Sequence, residues 1–302
     1  MENQKIYYYT DFNTFKLILR NGTLRFKEST SSNDNFDTIK MYENLSLLSE
    51  EKLKSDELKY EQKFFFDMQK YNGSKSSRLS LVACFTSKAD SRMLWDAYTM
   101  HRKDRVADKY NGVCIGFNKS KLVEAMNAGA KEFDLKHCQE IIYGFDSINN
   151  YLEEYVDIYS NEVEEMSHDE DQSQNIIEPI LIPLTHSVLT LKKCIVYPML
   201  KLVDRIDTTA PFFKHSFWCE EEEIRALLSV KKGSEFAKNI NRDSNGSAYF
   251  DLPISIECID NVILGPEFSN EDIITATAIK GSILYVDLNT TRSNGTGVIT
   301  NR

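Results

Sequence analysis

The stretch Phe212 to Val230, FFKHSFWCEEEEIRALLSV, decides the fold and holds the densest chemistry of the chain. Four adjacent carboxylates, Glu220 to Glu223, repel one another, so some should be solvated or paired. Read as a strand, Glu221, Glu223 and Arg225 share one face, while Cys219, Glu222 and Ile224 take the other parity. Two carboxylates beside an arginine form a plausible site. One carboxylate can bind a sugar hydroxyl or act as a base, and the other can stabilise developing positive charge. The competing reading is a solvated helix start, with Glu221 and Arg225 as an ordinary i,i+4 pair. Lys214, His215 and Trp218 flank the carboxylates within the same segment.

A chain of 302 residues, 41% of them hydrophobic, can bury a large core as one big domain or two intimate ones. The formal charge is −10, from 36 basic and 46 acidic residues. Broad attraction to a phosphate backbone is therefore not expected, while a local basic groove is compatible with this total. The six cysteines (84, 114, 138, 194, 219 and 258) show no CxxC spacing, which argues against a zinc site or a disulfide framework. Most lie in apolar contexts and read as reduced core residues. The N-terminus, MENQKIYYYT, has no basic-then-apolar signal sequence. The apolar run 176–202 is interrupted by Glu178, Pro179, Pro183, His186, Lys192, Lys193 and Pro198, so it predicts a buried helical hairpin and not a membrane span. These features predict a soluble cytoplasmic protein.

Working along the chain, IYYYT at 6–10 predicts a first strand. Asp11 then caps a helix that Gly22 closes, and TLRFK forms a second strand. Residues 29–38 are a run of turn formers around Phe36, either a binding loop or a connection. A charged helix is expected over 42–71, a buried strand over 80–86, and a helix carrying Met93, Leu94, Ala97 and Met100 on its apolar spacing. Trp95 and Tyr98, three apart on that helix, are core packing or a ligand platform. NGVCIGF (111–117) predicts another strand. Residues 118–175 read as helix-rich and acidic, ending in a solvated loop where His168 stands beside Asp169, Glu170 and Asp171. SAYFDLPIS and CIDNVILGPEFS read as a strand pair, NEDIITATAIKG as a capped helix, ILYVDLN as the last strand, and the tail as frayed. The expectation is a mixed α+β chain with a helical insertion at about 120–205.

Several of these blocks, in this order, resemble the prokaryotic family known as domain of unknown function 2971. They are Tyr7, Tyr9 and Thr10 with Thr23-Leu24-Arg25; Asn33-Asp34-Asn35-Phe36-Asp37; and Cys84-Phe85-Thr86 with Leu94-Trp95-Asp96-Ala97-Tyr98 and Gly112 to Phe117. Lys214, Trp218, Glu221, Glu223 and Arg225 follow, and Ile259 to Pro266 close the series. Asparagine replaces the family's proline at Asn35, and residues 120–205 match no named pattern.

That family looks related to the ADP-ribosyltransferases of the toxin and phage-defence type. The resemblance implies a split β-sheet core, taken here as one domain over 1–302, that clasps NAD and transfers ADP-ribose to a nucleic acid or protein acceptor. It implies Glu223 and Glu221 as the catalytic pair, with Glu223 stabilising the oxocarbenium-like state and Glu221 orienting the acceptor. It implies Tyr8, Thr10, Trp95, Tyr98 and Arg225 as the NAD-binding set, and Asn33, Phe36, Lys214 and Trp218 toward the substrate. NAD is then the cosubstrate, no metal is required, and an antitoxin or other defence partner is expected. No clear Ser-x-Ser stands on the central strand, where Phe85-Thr86-Ser87 is nearest, so the target residue stays open. Two further readings stand beside this one: a metal-dependent nuclease using Asp34, Asp37, Glu221 and Glu223, and a non-catalytic sensor or partner-binding module.

Overall fold

The computed structural model describes residues 4–29, 78–99, 112–168, 175–176, 191–265, 289–293 and 299–301. The expected features at 30–77 (the loop with Asn33, Asp34, Phe36 and Asp37, and the helix 42–71), at 169–174 and over 266–288 lie outside these residues.

The fold begins as its sequence predicts. Strand β1 (Lys5–Asp11) runs into helix α1 (Phe12–Asn21). The Asp11 carboxylate accepts hydrogen bonds from the Thr14 amide at 2.9 Å and the Thr14 hydroxyl at 2.6 Å, satisfying donors that the first helical turn leaves open. Gly22 ends the helix in the left-handed conformation at φ 62°, where a Cβ would be strained. Next in the chain come β2 (Thr23–Glu28), β3 (Arg78–Thr86), α2 (Arg92–Tyr98), β4 (Gly112–Asn118), α3 (Lys119–Gly129) and β5 (Leu135–Glu140). Strand β6 (Ile142–Tyr143), α4 (Phe145–Ser167), β7 (Asn175–Ile176), β8 (Leu191–Lys192), α5 (Lys193–Thr209) and β9 (Phe213–Lys214) follow. The chain then adds β10 (Glu223–Lys231), α6 (Glu235–Asn239), β11 (Tyr249–Pro253), β12 (Ile259–Leu264), β13 (Asn289–Ser293) and β14 (Ile299–Asn301). Helices and a mostly antiparallel sheet make this an α+β fold, as expected.

The chain divides into two units. The first comprises Met1–Ser31, Leu79–Ile141 and Phe217–Arg302. Its sheet runs β11-β2-β3-β1-β4-β12-β13-β14, and β10 pairs with both β3 and β5. Strand β3 is thus a branch point with three neighbours, meeting β1 at Tyr7–Thr86 and β2 at Lys27–Val82. The Ser80 and Ser229 hydroxyls lie 3.1 Å apart, and the Ser87 amide donates to the Glu222 carbonyl, so β10 runs antiparallel to β3.

Alternation then sorts side chains onto two faces. Ile6, Leu81, Phe85, Val113, Ile115, Phe117, Ile224, Ala226 and Val262 face one way, into a core completed by Phe15, Ile18 and Leu19 of α1 and Leu122 and Met126 of α3. On the opposite face Tyr9, Cys114 and Ile263 pack with Leu94 and Trp95 of α2. Gly112 has no room for a side chain there, since a Cβ would meet the Thr99 side chain at 2.1 Å.

The second unit comprises Ser32–Arg78 and Ile142–Ser216. Its described part is built on α4 and α5. Tyr155 lies under the Arg205 guanidinium, and Glu162 pairs with Lys201 at 3.2 Å, so the two helices run antiparallel. Pro198 sits inside α5.

Five expectations need correction. The insertion starts near 142 and not near 120, because β5 joins the sheet beside β10, with Arg225 opposite Gln139. LKHCQE has one strongly apolar residue, so its strand state is conferred by that partner and not by its own pattern. The hairpin expected over 176–202 includes a short β7–β8 ladder, followed by α5 extending to Thr209. Strands β11 and β12 do not pair with each other: the 3-10 turn Ile256–Cys258 separates them, and they pair with β2 and β4. The tail is not frayed at 289–293 and 299–301, where β13 runs parallel to β12 and β14 returns antiparallel. Cys84 and Cys219 are exposed thiols and not core residues.

Candidate functional site

The four carboxylates are all partnered, and each differently. Ser216–Glu221 form a 3-10 helix, and β10 starts only at Glu223. Between them Glu222 takes φ 43°, a left-handed backbone rare for a residue with a side chain. Glu221 therefore lies outside the strand, contrary to the continuous alternation read from sequence. Glu223 and Arg225 do share a face.

Glu223 is buried and receives two hydrogen bonds from Arg225, Nε to Oε1 at 2.8 Å and a terminal guanidinium nitrogen to Oε2 at 3.2 Å. This fork neutralises both charges away from water. Arg225, expected to hold a cofactor, is held by Glu223. Glu221 is equally buried, and its Oε1 accepts from the Tyr98 hydroxyl at 2.8 Å. Burial and the negative charges of Glu221 and then Glu223 raise the Tyr98 phenol well above its ordinary range. The phenol is a fixed donor, and both carboxylates act on it. Glu222 is solvent-facing, bonded to the Ser87 hydroxyl and 3.3 Å from the Lys88 ammonium. Hydrogen bonds from Ser87 and Lys88 lower its carboxyl below the usual range. Glu220 pairs with Lys88 at 3.6 Å.

The remaining candidates separate by face. Trp95 is 2% exposed, donates from Nε1 to Asp90 at 2.7 Å and meets the Tyr9 ring edge-on at 4.9 Å. It is an anchor of α2, whereas Tyr98, 44% exposed, reaches the carboxylates. The two do not form one aromatic platform. Tyr8 turns to the apolar side, 5.6 Å from Phe85, where burial pushes its phenol up to about 12. Thr10 is buried with the same parity. Neither shares a face with Glu223. Trp218 stays partly exposed, edge-on to the exposed Phe217 ring at 5.1 Å. Lys214 is buried in the second unit. Asn33 and Phe36 lie outside the described residues.

Sequence reasoning missed Thr86, Ser87 and Lys88 as members of the site. The Thr86 hydroxyl donates to the Glu221 carbonyl at 2.7 Å, and the Lys88 ammonium to the Glu220 carbonyl at 2.6 Å. The signal available was the Phe85-Thr86-Ser87 end of the expected central strand, the nearest approach to a Ser-x-Ser. Among the described residues no group of three or more His, Cys, Asp or Glu side chains is placed to hold a metal, and no helix is long and apolar enough to cross a membrane.

Residues 94–226 match the family model described as protein of unknown function (DUF2971). The match covers less than half of the chain, but it spans Trp95, Tyr98, Glu221, Glu223 and Arg225, and it supports the family to which the motifs pointed. No curated protein matches the chain, and no solved structure does.

Proposed function

We propose that this DUF2971 chain is an NAD-dependent ADP-ribosyltransferase in which Glu221, and not Glu223, is the carboxylate that meets the ribose. The observation that carries the reading is the buried Glu221 carboxylate held by the hydroxyl of a half-exposed tyrosine. Glu223 is already paired with Arg225 in a buried fork, so its part is to hold the start of β10 beside Glu221.

The chemistry asks for such a group. The bond between the ribose anomeric carbon and the nicotinamide nitrogen breaks, and its electron pair neutralises the ring cation. Positive charge then grows on the sugar until an acceptor hydroxyl or amine forms the new bond and gives up its proton. A preorganised carboxylate stabilises that charge without needing to reorganise. Tyr98 fixes the carboxylate, and the exposed Phe217–Trp218 pair offers a surface against which a nicotinamide or an acceptor base could stack. A toxin or defence role, a nucleic acid or protein acceptor, and an antitoxin or other defence partner belong to the same proposal. They rest on the resemblance of the motifs.

The test is incubation with labelled NAD and cell lysate, followed by nuclease or protease digestion of the labelled product. Glu221→Gln should lower transfer by about 10²–10³ while leaving NAD affinity within a few fold, because the amide keeps the shape and loses the charge. No transfer by the wild type, together with no calorimetric heat from millimolar NAD, NADP or ADP-ribose, overturns the reading. The complete pairing of the four carboxylates favours a second reading, a non-catalytic partner-binding module. That reading gains if Glu221→Gln leaves the biological effect of the chain intact. The nuclease alternative draws on Asp34 and Asp37, which lie outside the described residues.

A further inference from the structure

Glu222 occupies the one left-handed non-glycine position among the described residues, and it stands between the two buried carboxylates. A strand continued through 222 would carry Glu221 onto the same face and line as Glu223. The left-handed residue breaks that line, ends the 3-10 turn with the Glu222 amide on the Cys219 carbonyl at 3.1 Å, and starts β10 one residue later. Glycine would adopt this backbone without penalty. A glutamate there must be held, and the bonds that hold it come from the end of β3. The Ser87 hydroxyl and the Lys88 ammonium grip its carboxylate. The Ser87 amide donates to its carbonyl at 3.2 Å, and Thr86 and Lys88 take the carbonyls of Glu221 and Glu220. A sparsely populated conformation persists only where its surroundings over-determine it, and here five contacts from the end of β3 converge on three residues.

We infer that Glu222 is a positioning residue: clamped by Ser87 and Lys88, its left-handed backbone swings Glu221 out of the strand line and aims that carboxylate at the Tyr98 hydroxyl. The geometric claim stands on the contacts alone. Its consequence for turnover rests on the ADP-ribosyltransferase reading.

Two readouts separate the levels. The first is nitration of Tyr98 by tetranitromethane, followed by peptide mass spectrometry. Nitration tracks the phenolate fraction, and each unit by which the phenol falls raises that fraction about tenfold. In Glu222→Ala, and independently in Lys88→Met, Tyr98 should nitrate about tenfold faster, approaching the rate in Glu221→Ala. Glu222→Gln still accepts from Ser87 and should restore most of the protection, which a general loosening of the fold would not allow. The inference is overturned if Tyr98 in both Glu222→Ala and Lys88→Met nitrates at the wild-type rate while Glu221→Ala releases it. It is equally overturned if Glu222→Gln is as reactive as Glu222→Ala. The second readout is NAD turnover, where Glu222→Ala should lower kcat about tenfold with KM little changed, and Glu222→Gln should recover it. A wild type that never consumes NAD sinks the enzymatic reading and leaves the nitration result to decide the positioning claim.

Discussion

Tyr8 and Tyr9 are adjacent, identical in chemistry and opposite in fate. Tyr8 points to the side closed by α1 and α3, where it leans on Phe85 among aliphatic and aromatic neighbours. Tyr9 points to the side of α2, where its hydroxyl donates to the Lys88 carbonyl at 3.1 Å and accepts from the Ser91 amide at 2.8 Å. The same division runs across the sheet. Phe117, Ile224 and Ala226 hold one face together by exclusion of water, while Thr86, Glu223, Arg225 and the Ser80–Ser229 pair furnish the other with directed bonds. A sheet face built from apolar burial tolerates change in proportion to volume. A face built from paired polar groups fails when one partner is removed, because the survivor stays desolvated. Chemistry needs fixed dipoles, so the second face is where a site can stand.

The largest effects should compare the faces directly. Phe117→Ala empties a fully buried position and should cost about 3–5 kcal/mol through lost transfer energy and the cavity left behind. Glu223→Leu should cost a similar amount, about 3–5 kcal/mol, for a different reason: it removes the carboxylate that receives two hydrogen bonds from the buried Arg225 guanidinium. The distinguishing variant is the double change Glu223→Leu with Arg225→Met, which should recover most of the loss, as apolar replacement of a buried pair often does. Chemical denaturation of the four proteins tests this. A double variant no better than Glu223→Leu would mean that the pair is anchored to further polar groups, and the comparison of faces would need redrawing.

A smaller effect isolates the hydroxyls. Tyr9→Phe leaves the Ser91 amide without its acceptor and should cost about 1–3 kcal/mol. Tyr8→Phe on the apolar side should change stability by less than about 0.5 kcal/mol or raise it slightly. Equal penalties at the two positions would break the distinction between the faces.

The strands at IYYYT, SLVACFT and NGVCIGF, the Asp11 cap and the Gly22 stop were legible in the sequence because local chemistry alone determines them. What was not legible depended on partners distant in the chain. LKHCQE becomes a strand only because β10 offers an edge, and the branch at β3 has no local signature. The kink at Glu222 was equally hidden. EEEE in a row suggests either a strand or a helix, and nothing short of the Ser87–Lys88 contact, 135 positions from Glu222 for Ser87, announces a left-handed residue. At the site, Glu223 and Arg225 were correctly placed on one face, but their distance from each other could not be read from their spacing. Two groups two apart on a strand can each meet a ligand or meet one another, and here they meet one another. Tyr8 shows a different limit. A motif position carried over from a related pattern gave it an expected cofactor role, and that pattern did not show that the parity of its own strand sets its ring against Phe85.

The smallest effect expected is at Glu222, and its sign distinguishes a clamp from an incidental surface contact. Hydrogen bonds from Ser87 and Lys88 stabilise the charged carboxylate, so the folded chain holds Glu222 at a lower pKa than the unfolded chain does. A carboxyl depressed on folding contributes stability that is fully present above its unfolded value and is lost as the pH falls through its folded value. The wild type should therefore be more stable than Glu222→Gln at neutral pH, and the gap should close on acidification below the ordinary carboxylate range. Taking the difference between these two proteins removes the contribution of carboxylates remote from Glu222. Because Glu222 and Lys88 face solvent, the gap should also shrink as salt approaches about 1 M, where the screening length falls to about 3 Å. Thermal unfolding of the pair across pH and salt supplies the measurement. A gap that is constant from neutral to acid pH would mean that the charge of Glu222 does nothing, and that Ser87 alone sets the left-handed turn.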